Sequence, residues 1–270
     1  MSQSRLSLNQ ATTQNWGMAE TIEGCARAGV GWIGLWRHKV EEIGLAETVR
    51  RLSGAELKVS SLCRGGFFPA ATALERQQRI DDNVRALDEA AELGADVLVL
   101  VSGPAPDRDL DAARQMVEDG IRAVLPHAAE RSIRLAIEPL HPMYAGDRSV
   151  VVTLAQANAM AERIASPFVG VAVDVYHVWW DPDVYAQIAR AGKNIVGFHV
   201  SDWLVPPPDH LLGRGMMGDG VIELRRLRQA VDDAGYEGPI EVEIFNQQIW
   251  DTPGEQVLEL MKERFLSEVL

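Results

Sequence analysis

A single closed parallel (β/α)8 barrel, of class α/β and spanning residues 1–270, is the fold predicted from three observations. Eight short runs carry the two-residue period of a strand. Amphipathic stretches with apolar residues three and four apart lie between them, and no Ser/Pro linker or low-complexity tract divides the alternation. In order, the strand-like runs are RLSLNQ, VGWIGLWR, KVSSLCRG, ADVLVLVSG, IRLAIEP, VGVAVDV, IVGFHVS and PIEVEIFN. The clearest helical stretches are ALERQQRIDDNVRALDEAAELG, DLDAARQMVEDGIRAVLPHAAERS, TLAQANAMAERIA, VIELRRLRQAVDDAG and GEQVLELMKERFLSEVL, all rich in helix formers. A chain of 270 residues, 47% of them hydrophobic, is long enough to bury one full core of this kind. The proline cluster Pro206 to Pro208 falls in a long loop after the seventh run and reads as an active-site loop rather than a domain boundary.

Four of these runs end in a carboxylate or an imidazole: Glu138, Asp174, His199 and Glu243. Strand parity places them together, because residues two apart share a face. An inward Glu138 brings Ala136 inside and leaves Leu135 and Ile137 facing the helices; Asp174 brings Ala172 inside and leaves Val171, Val173 and Val175 outside. His199 brings Gly197 inside and leaves Val196, Phe198 and Val200 outside. The eighth run offers Glu243 and Glu241 on one face; Glu243, nearer the C-terminal mouth, is the expected ligand, and Glu241 supports it one layer deeper. Singly, each such residue reads as a cap, an ion-pair partner or a solvated loop group. Together they would bury clustered carboxylates whose repulsion is expensive without a cation. Three carboxylates and an imidazole suit an oxygen-loving divalent ion, Mn²⁺ first, with Mg²⁺, Co²⁺ or Zn²⁺ as substitutes.

Composition excludes other classes. The formal net charge of −13 would repel a polyanion, so a nucleic-acid partner is not expected. Two cysteines, Cys25 and Cys63, make no disulfide framework, and a reducing cytoplasm is the expected compartment. The opening MSQSRLSLNQ has no apolar run behind a basic cluster, and no window approaches a membrane span, so neither export nor a membrane is expected.

Around the expected mouth, His177 follows Asp174 by three and is placed to donate to a substrate oxygen, or else to pack as a loop histidine on Trp179 or Trp180. His141 has the same offset from Glu138 and reads equally as a rim imidazole or a surface residue, while His38 and His210 have weaker cases and His127, mid-helix after Pro126, reads as structural. The stretch GRGMMGDG is either a phosphate cradle of backbone N–H groups or a loop turning where glycine is needed. Arg214 is its nearby cation, opposed by Asp219, and is preferred as a partner for a substrate hydroxyl or carbonyl. Trp16, Trp36, Trp179, Trp180, Trp203 and Trp250 lie at or just after strand ends, where aromatic rings stack on a sugar or form a protein interface; Trp16, Trp36, Trp179 and Trp203 are the expected substrate contacts.

IEP around Glu138, DVYH from Asp174 to His177, FHVSD around His199 and EVEIFN around Glu243 resemble, over nearly the whole chain, the xylose isomerase-like TIM barrel superfamily. Its members include ketose 3-epimerases, hydroxypyruvate isomerase, and inosose isomerases and dehydratases. The resemblance implies that Glu138, Asp174, His199 and Glu243 are the metal ligands, that Glu138 and Glu243 are also the acid and base, and that His177 and Arg214 hold substrate oxygens. The loop VPPPDHLLGRGMMGDG is longer than in the epimerases, and EPLHP resembles instead a lyase, dehydratase or C-glycoside deglycosidase branch. The expected activity is sugar isomerisation or epimerisation by proton transfer through an enediolate; elimination on the same scaffold is the alternative, and a metal-binding subunit of a larger assembly, its Trp-rich loops meeting a partner chain, is a reading of a different class. The expected substrate is a neutral small carbohydrate, and the expected assembly a homo-oligomer, dimer or tetramer.

Overall fold

The computed structural model describes residues 3–270; Met1 and Ser2, at the head of the segment read for a leader, lie outside the described residues. Each predicted run forms a strand: β1 Leu6–Asn9, β2 Trp32–Trp36, β3 Lys58–Gly66, β4 Val97–Val101, β5 Arg134–Glu138, β6 Val169–Asp174, β7 Ile195–Val200 and β8 Ile240–Val242. They pair in parallel, each with its sequence neighbour, and β1 closes on β8, giving an eight-stranded barrel. Among the described residues no helix is long and apolar enough to cross a membrane.

The five helical stretches read from the sequence form helices, and their ends follow local chemistry. Thr72 and Glu75 make a reciprocal capping box before Ala73–Leu93, Asp109 caps Leu110–Arg131 and Thr153 caps Leu154–Ile164. Further helices at Met18–Ala28, Leu45–Gly54 and Val184–Ala191 complete the outer ring. His127 proves structural, its Nε2 2.9 Å from Asp88.

Parity holds on β5 and β6. Leu135, Ile137, Val171, Val173 and Val175 pack into the layer between strands and helices, whereas Ala136 and Ala172 belong to the interior cluster with Cys63, Val97 and Val99. On β7 it fails at one residue. Val196, expected outside, joins the interior cluster. The cause is a β-bulge: Val171 pairs with Ile195 and Ala172 with Gly197, so Val196 is skipped and turns inward. Gly170 makes this possible, since a Cβ there would sit 2.7 Å from a Val196 methyl.

Trp16 is not at the rim. Its buried ring is wedged between helix Met18–Ala28 and the last helix, Gly254–Arg264, where Cβ atoms at Gly24 and Gly254 would lie 2.3 and 2.1 Å from it. A strand-end position does not decide whether an indole turns over the barrel mouth or into a helix interface; here two glycines open the interface. Trp16→Ala is expected to destabilise the fold by about 3–5 kcal/mol, read from urea unfolding, without moving any residue of the mouth.

Candidate metal centre and its cavity

Glu138 ends β5, Asp174 ends β6, His199 stands one residue from the end of β7, and Glu243 follows β8 directly, its N–H donating to Val200 O. One donor atom from each lies within 4.8 Å of all the others, and all four residues are buried. His199 is oriented by this arrangement. Its Nδ1 faces the cluster, 3.3 Å from Glu138 Oε1 and 3.8 Å from Glu243 Oε2, and its Nε2 faces Glu241 Oε2 at 3.7 Å. Glu241 thus occupies the deeper layer expected of it. Asn9 donates to its Oε2 at 3.0 Å, and Gly34 leaves it room, since a Cβ there would be 2.3 Å from that oxygen.

These residues fit a divalent ion. Among the described residues, Glu138 Oε1 and both ring nitrogens of His199 are buried without a hydrogen-bond partner, an expensive condition that a cation at the cluster would relieve for Glu138 Oε1 and His199 Nδ1. A carboxylate behind a ligating imidazole is the usual second support of such a centre. The electrostatics agree. Burial works against a charged His199, yet Glu241, Glu138 and Glu243 outweigh it and push the imidazole up to about 10. Burial raises the Glu243 carboxyl, with Arg214 and His199 opposing and Glu138 and Asp174 adding. Asp174 is held low although burial opposes it, chiefly by Arg214, then by His177, His199 and the Tyr176 N–H.

A proton on His199 must therefore leave when a metal arrives. Because that proton is held up to about pH 10, uptake at pH 7 is expected to release at least one proton per ion, and affinity to rise about tenfold per pH unit below that value. Calorimetry in buffers of different ionisation enthalpy reads the proton count; zero protons at pH 7 would mean that the His199 imidazole is already neutral before the ion binds.

Arg214 reaches the same cluster from the loop after β7. A short antiparallel pair, Asp202–Trp203 with Arg214–Gly215, returns the loop over the mouth. Arg214 Nη1 donates to Asp174 Oδ2 at 2.8 Å and to Glu243 Oε2 at 3.1 Å, and Nη2 lies 3.1 Å from His177 Nε2. The guanidinium is packed between Tyr176 and Phe245. His177 is buried, and burial, with Arg214 adding and Asp174 opposing, brings its imidazole down to about 3, so it is neutral at physiological pH. With Nε2 accepting from Arg214, its proton sits on Nδ1, which has no partner among the described residues.

The GRGMMGDG segment is not a cradle. Gly218, Gly220 and Ile222 direct their N–H groups at the Asp202 carboxylate at 2.9–3.0 Å, so the donors a phosphate would need are occupied within the loop. Asp219 pairs with Arg264, not with Arg214.

A cavity of about 240 Å³ opens above the cluster, lined by Glu138, Glu243, His177 and Arg214 below and by Trp36 and Tyr144 at its sides. Of the four tryptophans expected there, Trp36 is in place, held by its Nε1–H to Asn9. Trp179 and Trp203 stack instead on one another, Trp203 also on Tyr176, in an aromatic cluster behind the wall. His141 joins that cluster between Trp180 and Trp203, its Nδ1 accepting from Met143 N–H, so its rim reading gives way to a structural one. Residues not anticipated from the sequence are Arg64, Phe67, Tyr144 and Arg148 on the cavity wall, and Asp202 at the centre of the loop.

The sequence pattern defining the family described as xylose isomerase-like TIM barrel matches residues 22–266. The chain belongs to that family. The chain is similar to a ketose 3-epimerase of Arthrobacter globiformis, 26% identical over 61% of this chain and 55% of that one, and to a 3-dehydroshikimate dehydratase of Pseudomonas putida, 27% identical over 67% of this chain and 28% of that one. It therefore spans about half the length of the first relative and a quarter of the second. Among solved structures, protein SMc04130 from Sinorhizobium meliloti 1021 superposes with a TM-score of 0.97 at 52% identity over 99% of both chains. The IOLI protein, solved with a binding zinc atom, shares the fold at a TM-score of 0.88 and 20% identity over 98% of both.

Proposed function

We propose that this member of the xylose isomerase-like TIM barrel family is a divalent-metal-dependent isomerase or epimerase that moves a proton next to the carbonyl of a keto-sugar or keto-polyol. The observation that carries this reading is the placement of two buried carboxylates, Glu138 and Glu243, on strand ends separated by β6 and β7, facing one cavity beside a neutral histidine and an arginine. When bound by Glu138, Asp174, His199 and Glu243, the ion, Mn²⁺ by preference, would stabilise the negative charge of an enediolate.

The chain's own groups divide the remaining work. Glu243, buried beside the cluster, is placed to accept a proton, and Glu138 stands across the cluster to return one. His177 Nδ1–H and the Arg214 guanidinium supply donors for substrate oxygens, and Trp36 offers a ring face for the sugar's apolar side. Returning the proton to the same carbon's other face gives epimerisation; returning it to the neighbouring carbon gives isomerisation. Elimination of a β-leaving group is the second reading, favoured by the similarity to a dehydratase.

The test is incubation of the Mn²⁺-loaded protein with a panel of ketoses and cyclic keto-polyols in deuterated water. Deuterium at the α-carbon with carbon skeleton retained supports the proposal. Loss of water from the compound that exchanges selects the second reading, and absence of both reactions across the panel overturns the proton-transfer assignment.

A further inference from the structure

The upper wall of the cavity carries two arginines that the proton-transfer chemistry does not use. Arg64 is the extra residue of a β-bulge in β3: Cys63 pairs with Val99 and Gly65 with Leu100, and Arg64 is skipped. Bulges near barrel mouths re-aim a side chain, and this one turns the Arg64 guanidinium across the Phe67 ring at 3.9 Å. Arg148 comes from the loop after β5, over the Tyr144 ring at 5.8 Å. Both line the cavity that has Glu138 and Glu243 at its floor.

Their charges are poorly matched by the protein. Arg37, in the adjoining cleft, is held by Asp82 and Glu89 through contacts of 2.6–3.3 Å. Arg64 has no carboxylate within ion-pair distance among the described residues, and Arg148 Nε, buried and without a hydrogen bond, has Asp147 Oδ2 at 3.6 Å. Two cations in a half-enclosed space, close enough to be felt by one another, raise each other's cost; burial first, then Arg148 and Arg37, lower the Arg64 guanidinium from its ordinary range. Two planar donor forks lining one small cavity can take a carboxylate or phosphoryl group by paired hydrogen bonds.

We propose that Arg64 and Arg148 form an anion subsite at the cavity mouth, so that the substrate is an acidic keto-sugar or keto-polyol, bearing a carboxylate or a phosphate ester at the end remote from the reacting carbons. This replaces the neutral substrate expected from the sequence, where only the arginine beside the glycine-rich loop was counted. It rests on the proposed proton-transfer site for the position of the reacting end, but the subsite is defined by its own residues. At about 240 Å³ the cavity is small for a ligand pocket, so one monosaccharide-sized molecule bridges floor and mouth.

The experiment is a fluorescence titration of the Mn²⁺-loaded protein, reading the cavity tryptophan Trp36 against a variant blank. D-Fructose, D-fructose 6-phosphate and D-fructuronate serve as probes, because they differ only at the remote carbon. At least one charged probe is expected to bind about tenfold or more tightly than D-fructose; a phosphate preference and a carboxylate preference identify which anion the site takes. Arg64→Gln and Arg148→Gln, confirmed as folded by their melting curves, are each expected to narrow the gap to about threefold or less, and Arg64→Lys to keep part of it. Equal affinity for all three probes, or a preference that survives in the double glutamine variant, overturns the subsite. Deuterium exchange across the ketose and keto-polyol panel reads the other proposal separately: charge preference here with no reaction anywhere in that panel sinks proton transfer and leaves the subsite, and exchange without charge preference does the reverse.

Discussion

Glu243→Gln is expected to leave the protein folded and largely metal-loaded while lowering exchange of the substrate's α-proton with solvent deuterium by about 10²–10⁴-fold, the usual worth of a positioned general base. The amide oxygen still offers a lone pair to the cation, but the group no longer takes up a proton. The surroundings make this substitution mild for the fold. Arg214 Nη1 keeps Asp174 Oδ2 and the Glu243 backbone carbonyl as acceptors, at 2.8 and 3.1 Å, so the buried guanidinium is not stranded. Exchange persisting at the wild-type rate on a compound known to react would transfer the base to another group, with Glu138 next in line.

Asp174→Ala is expected to remove the metal. Of the four proposed ligands, Asp174 is wholly buried: its Oδ1 accepts from Tyr176 N–H at 2.9 Å and its Oδ2 faces Arg214. Its loss deletes one of three anionic ligands and leaves Arg214 with less opposing charge beside the vacated position, so a cation is disfavoured twice. Metal content after gel filtration should fall by about 100-fold or more, beyond the 10–100-fold expected from losing a supporting residue alone. Equal metal in the wild-type and variant proteins would rule the assignment out.

The barrel and the convergence of its four candidate ligands were legible in the sequence because two independent regularities coincide there. Apolar alternation fixes which residues of β5 and β6 face inward, and the polar residue that breaks each run falls on that face: Glu138 above Ala136, Asp174 above Ala172. Bulges were not legible. A single skipped residue reverses parity locally, and nothing in IVGFHV marks Val196 or in KVSSLCRG marks Arg64 as the one skipped; the strain is settled by space at Gly170 and by pairing across β4. The rim aromatics were misplaced for a related reason. Trp16, Trp179, Trp203 and His141 sit where the chain leaves the barrel, but the direction of each ring depends on packing partners distant in sequence. Asp202 went unread because its partners, the N–H groups of Gly218, Gly220 and Ile222, come from sixteen to twenty residues further on.

The link from Asn9 to Glu241 ties the centre to the assembly of the whole chain. All four candidate ligands belong to the second half of the sequence, yet the carboxylate behind His199 is anchored by a residue of β1, 232 positions away, across the seam where the first strand meets the last. Bringing segments so distant together carries a large loop-closure cost, which contact-rich pairing must offset late in folding. A C-terminal fragment from β5 onward would therefore hold every ligand and still leave His199 without its backing, and adding the N-terminal fragment in trans should restore tight metal retention as the seam closes. If the proposed ion binds, its retention would report ring closure, a sensor of whether the two ends of the polypeptide have met.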